Sequence, residues 1–265
     1  MSSTPFPSLA PPPWPVRLLK AGLVVLGVGL LLAVVSGPSY RFGLAPLRPA
    51  LLMLAGGFLL LFTGTLLAIV GLLVASARRM RIKRTASMVA VVVGLAVSGY
   101  QLSWVARGRA APPIHEISTD LADPPAFVAV AALRRDAHAV NPTEYVARVS
   151  GPGGKVIDVP QLQRKWFPDI RPLDLPLAPA AALASAQRAA GRLGWQIDAI
   201  VPAEGRLEAT DATAFFGFKD DIVIRVRALG GGSRIDVRSK SRVGLGDVGA
   251  NARRVRAFLQ LMQSG

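Results

Sequence analysis

Three long apolar runs occupy the first part of the chain. They extend from Ala21 to Gly37, from Ala50 to Ser76 and from Thr85 to Ala106, and none of them contains a charged residue. Each run meets or nearly meets the ~20 residues that a helix needs to cross the ~30 Å hydrocarbon layer of a membrane. The pattern predicts a three-helix transmembrane region, residues 17–106, behind a proline-rich cytoplasmic tail, residues 1–16.

A different pattern, in which apolar and polar positions alternate, predicts strands in the last third of the chain. Four such segments occur, at residues 195–201, 206–209, 222–227 and 234–238. Their connections, Pro202–Gly205 and Gly230–Gly232, are made of turn-forming residues. Each pair of strands is therefore expected to form a hairpin.

Helices and loops complete the predicted domain. An alanine-rich helix is expected from Pro179 to Leu193, ended by Gly194, and an amphipathic helix is expected from Val248 to Gln263. Residues 115–175 are rich in proline and lack periodicity, which predicts turns, short strands and long ordered loops. Residues 107–265 are thus expected to form an extracytoplasmic α+β domain. Its antiparallel sheet of about four strands should pack against helices on one face and be open on the other.

Charge is distributed unevenly along the chain. Eleven of the 31 lysines and arginines precede residue 110, whereas all 16 acidic residues follow it. Five of these cations fall in Arg78–Arg84, between the second and third spans, and the positive-inside rule places that loop, with Arg17 and Lys20, in the cytoplasm. The domain then lies outside. A cleaved signal peptide is an alternative for the first span, but no small-x-small site follows Gly37, and cleavage would not change the orientation of the rest.

Composition and spacing restrict the functional classes and the partners. After residue 110 the remaining 20 cations exceed the 16 acids by four, which is too few to predict a nucleic-acid-binding surface. The absence of cysteine excludes disulfides, thiolate zinc sites and cysteine nucleophiles. The spans hold no charged side chain or histidine, so neither a transporter nor a pump is favoured, and the lipid bilayer is the first predicted partner. Gly57, Gly64 and Gly71 recur every seven residues in the second span, which lets another helix pack closely, within the chain or in an oligomer.

The most site-like stretch of the domain extends from Arg238 to Arg254. A strand end, a glycine-containing loop and a helix start meet there, and their amides, guanidinium groups and hydroxyls suit a phosphate or carboxylate. The candidate anion- or partner-binding residues are Arg238, Ser239, Ser241, Arg242, Asp247, Asn251 and Arg254. The same groups also suit an internal network that locks loop, strand and helix together. This structural interpretation is favoured, because a capped helix start uses such groups internally.

Other polar residues have plainer interpretations. Asp220 and Asp221 are adjacent on a strand, so they point to opposite faces and cannot form a catalytic pair; one or other is expected to pair with a loop arginine. Seven charged residues occupy the alternate strand positions that are expected to face solvent, where they should form a solvated lattice of cross-strand ion pairs. The alternative is a basic face that binds anionic lipid or polymer. The seven residues are Arg206, Glu208, Arg225, Arg227, Arg234, Asp236 and Arg238. His115 and His138 show no metal-ligand spacing, and no cofactor motif is found.

Several motifs are similar to those of a known family. Three of them, in the last third of the domain, are Phe216–Asp221, Asp236–Gly244 and Asp247–Ala252. They resemble the bacterial envelope family labelled domain of unknown function 1499, and Ile114–Asp120 and Trp166–Ile170 resemble that domain's opening and middle. Longer members are similar in placing transmembrane helices before the domain. With the charge pattern, the resemblance predicts a multi-pass protein of the bacterial inner membrane with a periplasmic domain, and it implies no activity, substrate or cofactor.

Two functions and one structural role stay open for the domain. The favoured function is a non-enzymatic, membrane-anchored domain that binds an envelope protein or an anionic ligand. The alternative is an envelope enzyme that acts on a phosphorylated or carboxylated substrate at the Arg238–Arg254 corner, which predicts a concave pocket there. A purely structural role predicts instead that the polar groups of the corner satisfy one another completely.

Overall fold

The computed structural model describes residues 12–136 and 139–264. Residues 1–11 of the predicted proline-rich tail and His138 lie outside the described residues. The chain divides into two compact units after Ala106.

Three long apolar helices, α1 (Trp14–Arg41), α2 (Leu47–Ala77) and α3 (Arg84–Ala110), follow one another in the first part of the chain. They contain 28, 31 and 27 residues, and each is long and apolar enough to cross a membrane. The three predicted spans are thus confirmed as helices. α1 begins at Trp14, inside the predicted tail, because Pro15 falls in its first turn, where no helical N–H bond is lost.

Small residues let α1 and α2 approach to backbone contact. A Cβ atom added to Gly64 would lie 2.3 Å from the backbone nitrogen of Leu26, and one added to Gly57 would lie 2.7 Å from that of Ala33. Gly71 faces α1 in the same way. The predicted glycine seam therefore packs within the chain. An oligomer built on these glycines stays a prediction, and it would have to displace α1.

The second unit is an α+β domain built on one large antiparallel sheet. Its helices are α4 (Ala129–Asp136), α5 (Val159–Trp166), α6 (Pro179–Arg192) and α7 (Ala250–Ser264). Its strands are β1 (Glu116–Ser118), β2 (Arg148–Ser150), β3 (Val156–Asp158), β4 (Leu173–Leu175), β5 (Gln196–Val201), β6 (Arg206–Ala212), β7 (Lys219–Leu229) and β8 (Gly232–Ser241). The predicted helices α6 and α7 and the predicted strands β5 to β8 are confirmed.

The sheet has six strands in the order β1-β8-β7-β6-β5, and β4 also pairs with β8. The two predicted hairpins, β5–β6 and β7–β8, are present. β1 and β4 extend the expected four strands to six. Both lie in the proline-rich region, for which the sequence predicts short strands but does not indicate where they begin and end. α4 and α5, in the same region, were not predicted.

One face of the sheet is covered by α6 and α7 and holds the hydrophobic core. Alternate strand residues point into this core, including Leu207, Ile222, Ile224, Ile235 and Val237. Trp195 stacks on Phe258 of α7, with ring centroids 5.6 Å apart. The core thus follows from the period-two pattern of the strands and the apolar stripe of the last helix.

The second face of the sheet is also covered, so the expectation of an open face is wrong. The chain that leads into α4 lies across it. Phe127 and Val130 pack on Val223 in a small apolar cluster. Glu208 of β6 is fully buried and accepts hydrogen bonds of 2.9–3.1 Å from three backbone amides at the start of α4. A carboxylate on the sheet therefore caps the helix that covers it.

The glycine seam yields the first prediction. We expect Gly64→Ala to lower the unfolding midpoint of the full chain in detergent, because the added Cβ meets backbone atoms that cannot move aside, and overpacking costs roughly 1–3 kcal/mol. Gly56→Ala, on the same helix, is the control, since a Cβ there meets no atom within 4 Å. Equal midpoints for the two variants would contradict close packing at Gly64.

Candidate functional site

Five of the seven predicted site residues meet on the helix-covered face of the sheet, and we call them the Asn251 cluster. They are Ser239, Ser241, Asp247, Asn251 and Arg254. Asn251 is fully buried at their centre. Its Nδ2 donates to Ser241 Oγ at 2.9 Å, and its Oδ1 accepts from Ser239 Oγ at 2.5 Å and from Arg254 Nη1 at 2.8 Å.

The remaining members of the Asn251 cluster are also bonded internally. Asp247 accepts hydrogen bonds of 2.8 Å from the amides of Gly249 and Asn251, so it caps the start of α7. Arg254 pairs with Asp220 at 2.7 Å and with Asp211 at 2.8 Å. The cluster therefore satisfies its own polar groups, which fits the internal network that the sequence favoured.

The other two predicted residues, Arg238 and Arg242, lie on the opposite face of the sheet. Successive residues of a strand point to opposite faces, so Arg238 points away from Ser239 and from α7. Arg242 follows β8 and pairs with Asp221 at 2.7 Å. Asp221 thus has the loop arginine that the sequence predicted for one of the two aspartates. The single corner expected from the sequence divides into two groups separated by the sheet.

Four buried cations gather on this second face, and we call them the cation cluster. They are Arg134, Arg238, Lys240 and Arg242, each at most 5% exposed. Glu116 pairs with Arg238 through one oxygen and with Lys240 Nζ, at 3.0 Å, through the other. Asp221 pairs with Arg134 at 2.5 Å as well as with Arg242. In the described part of the chain, two carboxylates therefore face four cations.

Two members of the cation cluster have pKa values below those of the same side chains in water. Burial lowers the pKa of Arg238 and of Lys240, and the neighbouring positive charge of Arg134 lowers both further. Glu116 opposes this trend for both side chains without reversing it. The charged forms of Arg238 and Lys240 are therefore less favourable in this buried setting than in water.

Donors around the cation cluster are left unused among the residues that the structure describes. Arg134 Nε and Tyr145 Oη are buried and have no hydrogen-bond partner. Lys240 Nζ carries three N–H groups and has two acceptors, Glu116 and the backbone oxygen of Glu144 at 2.6 Å. Buried positive charge with unused donors is stabilised by a further acceptor, most effectively by an anion.

A cavity of about 180 Å³, the Lys240 cavity, lies beside one member of this cluster. Its polar end is formed by His115, Glu116, Asn141 and Lys240. Most of the rest of its wall is apolar and includes Ile114, Val146, Val149, Ile157, Val159 and Leu245. Leu245 is 64% exposed, so the cavity reaches solvent beside it. A cavity with an apolar body and a cationic end suits a small amphipathic anion.

His115 is neutral at the polar end of this cavity. Its Nδ1 lies 3.4 Å from the backbone oxygen of Leu245, a contact that favours the tautomer with the proton on Nδ1. Burial, and then the positive charge of Lys240, lower the pKa of His115 below its ordinary 6.5, although Glu116 and Asp247 act in the opposite direction. Within residues 12–136 and 139–264 no group of three or more acidic or histidine side chains is placed to hold a metal.

The charge lattice predicted for the same face is present, but its carboxylates are not solvated. Asp236 is fully buried. Its partners at 2.8–3.0 Å are Arg225, Arg227 and Arg234. Asp120 adds a contact of 2.8 Å to Arg234. The expectation of a solvated lattice is wrong for Asp236, Glu208 and Arg238, because the chain leading into α4 covers the middle of this face.

Sequence analysis missed the group formed by His115, Glu116 and Lys240. No local spacing connects them, since β1 pairs with β8 and places Glu116 opposite Lys240. One signal was available. Lys240 lies two residues after Arg238 and four after Asp236 on β8, so all three side chains point to the same face. This alternation in the sequence indicates a third charged side chain on that face, at the end of the strand.

The Asn251 cluster yields a stability prediction. Asn251→Ala should lower the free energy of unfolding by about 2–4 kcal/mol, because it leaves buried donors and acceptors without partners. Gln260→Ala, at an exposed position of the same helix, should change it by less than about 0.5 kcal/mol. Denaturant unfolding of the full chain in detergent, monitored by hydrogen exchange in β8, measures the stability change of each variant. An unchanged stability in Asn251→Ala would contradict the structural role.

His115 yields a pH prediction. Its folded-state pKa lies below the unfolded value, so the unfolded chain binds the proton more readily. The free energy of unfolding should therefore fall as the pH decreases from about 6.5, since this contribution is present above the unfolded pKa and lost toward the folded one. Unfolding at pH 5–8 of the wild type and of His115→Gln tests this. The difference between the two curves should be flat above pH 7 and slope below it, whereas a flat difference throughout would refute the assignment.

Comparisons with known proteins place the domain. The solved structures that match include "Crystal structure of Ara h 8.0201", which is 15% identical, covers 36% of this chain and 96% of that chain, and has a TM-score of 0.26. That score is too low to carry an argument about fold or function. Curated proteins give no match. The family model described as "Protein of unknown function (DUF1499)" matches residues 116–262. The resemblance seen in the sequence motifs is confirmed, and the chain belongs to this family.

Proposed function

We propose that the protein is a membrane-anchored, non-enzymatic binding protein whose outer domain holds a small anionic ligand in the Lys240 cavity. The observation that carries the proposal is the buried Lys240 in the lining of that cavity, which forms with Arg238 and Glu116 an ion-paired group of one net positive charge in the described chain. An unbalanced buried charge opposes folding unless an opposite charge or a full set of acceptors accompanies it. An anion beside Lys240 would supply an opposite charge and a further acceptor.

A role in stability alone accounts less well for the cation cluster. A fold that needed only to fill this space would be served as well by an apolar side chain of similar length in place of Lys240. The Asn251 cluster shows how the same domain arranges polar groups that hold the structure together, with each side chain bonded to a neighbour. Lys240 instead lines a cavity and has, among the described residues, two acceptors for its three N–H groups.

An enzyme acting at the Arg238–Arg254 corner is the second candidate, and it has less support. The hydroxyls of Ser239 and Ser241 are buried in hydrogen bonds with Asn251. Arg238 and Arg242 lie across the sheet from them, so one substrate would not meet both groups. An envelope protein as partner would bind an open surface, which the Lys240 cavity does not provide.

The membrane is proposed to be the bacterial inner membrane, with the N-terminus in the cytoplasm and the domain in the periplasm. The loop between α2 and α3, with its flanking residues, carries five positive charges at residues 78–84. The positive-inside rule favours the cytoplasm for such a loop. Because α3 follows that loop, the domain would then emerge on the other side.

Replacement of Lys240 tests the proposed function. We expect Lys240→Met to leave the free energy of unfolding of the ligand-free protein unchanged, or to raise it by about 1 kcal/mol, because it removes an excess charge and leaves Glu116 paired with Arg238. Glu116→Gln should instead lower it by about 3–5 kcal/mol, since it strands two cations. Denaturant unfolding of the full chain in detergent measures both changes.

The same variants test binding. Acetate, benzoate, phosphate and sulfate are titrated against the full chain, and a ligand at one hundred times its dissociation constant should add ~2.7 kcal/mol to the stability. That gain should be lost in Lys240→Met and kept in Lys165→Met, where an exposed lysine is replaced. Nuclear magnetic resonance should recover the ligand unchanged. A Lys240→Met protein that is several kcal/mol less stable would show that Lys240 holds the fold and would overturn the proposal.

A further inference from the structure

We infer that the ligand of the Lys240 cavity is a monocarboxylate with a compact apolar body, about the size of benzoate. The inference rests on the proposed function and adds the chemical class of the ligand. It depends on three properties of the cavity: its local charge, the number of free donors in its wall, and its size and polarity.

The charge at the polar end fits a monoanion. Arg238, Glu116 and Lys240 form one ion-paired group with a single net positive charge. His115 is neutral and adds no second charge at pH 7. One negative charge beside Lys240 therefore neutralises the group, whereas a dianion would leave one buried negative charge without a counter-charge.

The donors at the polar end fit a carboxylate better than a phosphate. Asn141 uses its amide group on the backbone oxygens of Ser241 and Gly244, each at 3.0 Å. Among the described residues, Lys240 is the buried cation in the cavity lining, and its three N–H groups have two acceptors. A phosphate would bring at least three oxygens that need donors or water. Most of them would face the apolar wall, where an unpaired oxygen is unfavourable.

The apolar part of the cavity sets the size of the body. An apolar protein cavity of ~150 Å³ is large enough to take up benzene. The Lys240 cavity, at about 180 Å³, has room for a ring or branched chain of similar size together with one carboxylate. Its apolar wall, formed by side chains such as Val146, Val149 and Ile157, favours a hydrocarbon body over a sugar or a hydroxylated chain.

Three shape-matched probes test the inference: benzoate, the neutral benzamide and phenylphosphonate. Each is titrated by isothermal calorimetry into the full chain in lipid nanodiscs, and empty nanodiscs correct for partition into lipid. Benzoate should bind, and benzamide should bind roughly 10- to 100-fold more weakly, because it lacks the charge that meets Lys240. Phenylphosphonate should also bind more weakly than benzoate.

Two variants identify the place of binding. Lys240→Met should weaken benzoate by roughly 10- to 100-fold, and Lys165→Met should leave it unchanged. Val149→Phe fills the apolar part without changing the charge, so it should weaken benzoate even if Lys240→Met fails to fold. Hydrogen exchange in β8 shows whether each variant is folded.

The outcomes separate this inference from the proposed function. If phenylphosphonate binds best and depends on Lys240, the ligand class is wrong and the anion-binding function stands. If benzamide equals benzoate, the charge is not recognised, and both the class and the anionic function fall. If neither the probes nor inorganic phosphate bind, or if Lys240→Met and Val149→Phe leave binding intact, the cavity is not the site and the proposed function fails with the inference.

Discussion

The interaction on which the domain depends is the pairing of buried cations on β8 with acceptors from distant parts of the chain. Arg238 and Lys240 point to the face of the sheet opposite the hydrophobic core. Arg238 donates to the backbone oxygens of Pro125 and Thr143 at 3.0 and 2.8 Å, in addition to its pairing with Glu116. The irregular chain around α4 therefore supplies carbonyl groups that buried charge requires, and this need explains why the second face is covered.

The same dependence decides which parts of the fold the sequence could predict. The strands β5 to β8 and the helices α6 and α7 carry strong periodic patterns, because each buries one regular face. β1 has three residues and is held by its pairing with β8, more than one hundred positions away. α4 is short, and its start is capped by Glu208 of β6 rather than by a neighbour in sequence. Such elements owe their existence to tertiary contacts, which periodicity does not record.

The site was predictable only where it is local. Ser239, Asp247 and Asn251 are close in sequence, and a strand end followed by a capped helix start was enough to bring them together. Spacing along the chain places Arg238 in the same corner, whereas strand parity places it on the other face, and the structure follows parity. The partner of Lys240, Glu116, comes from β1, whose position no local pattern fixed.

β8 carries the Asn251 cluster on one face and the cation cluster on the other. The two clusters differ in how completely their polar atoms are hydrogen-bonded. In the Asn251 cluster a central amide is bonded at both ends and an aspartate caps the helix, so the polar groups bond to one another. In the cation cluster, within the described chain, four cations pair with two carboxylates, some donors are unused, and one member, Lys240, lines a cavity. Evolution of stability alone would remove such an imbalance, because an apolar side chain at Lys240 avoids the desolvation of an ammonium group. Its presence at the wall of a cavity is therefore better explained by what the cavity holds than by the stability of the fold.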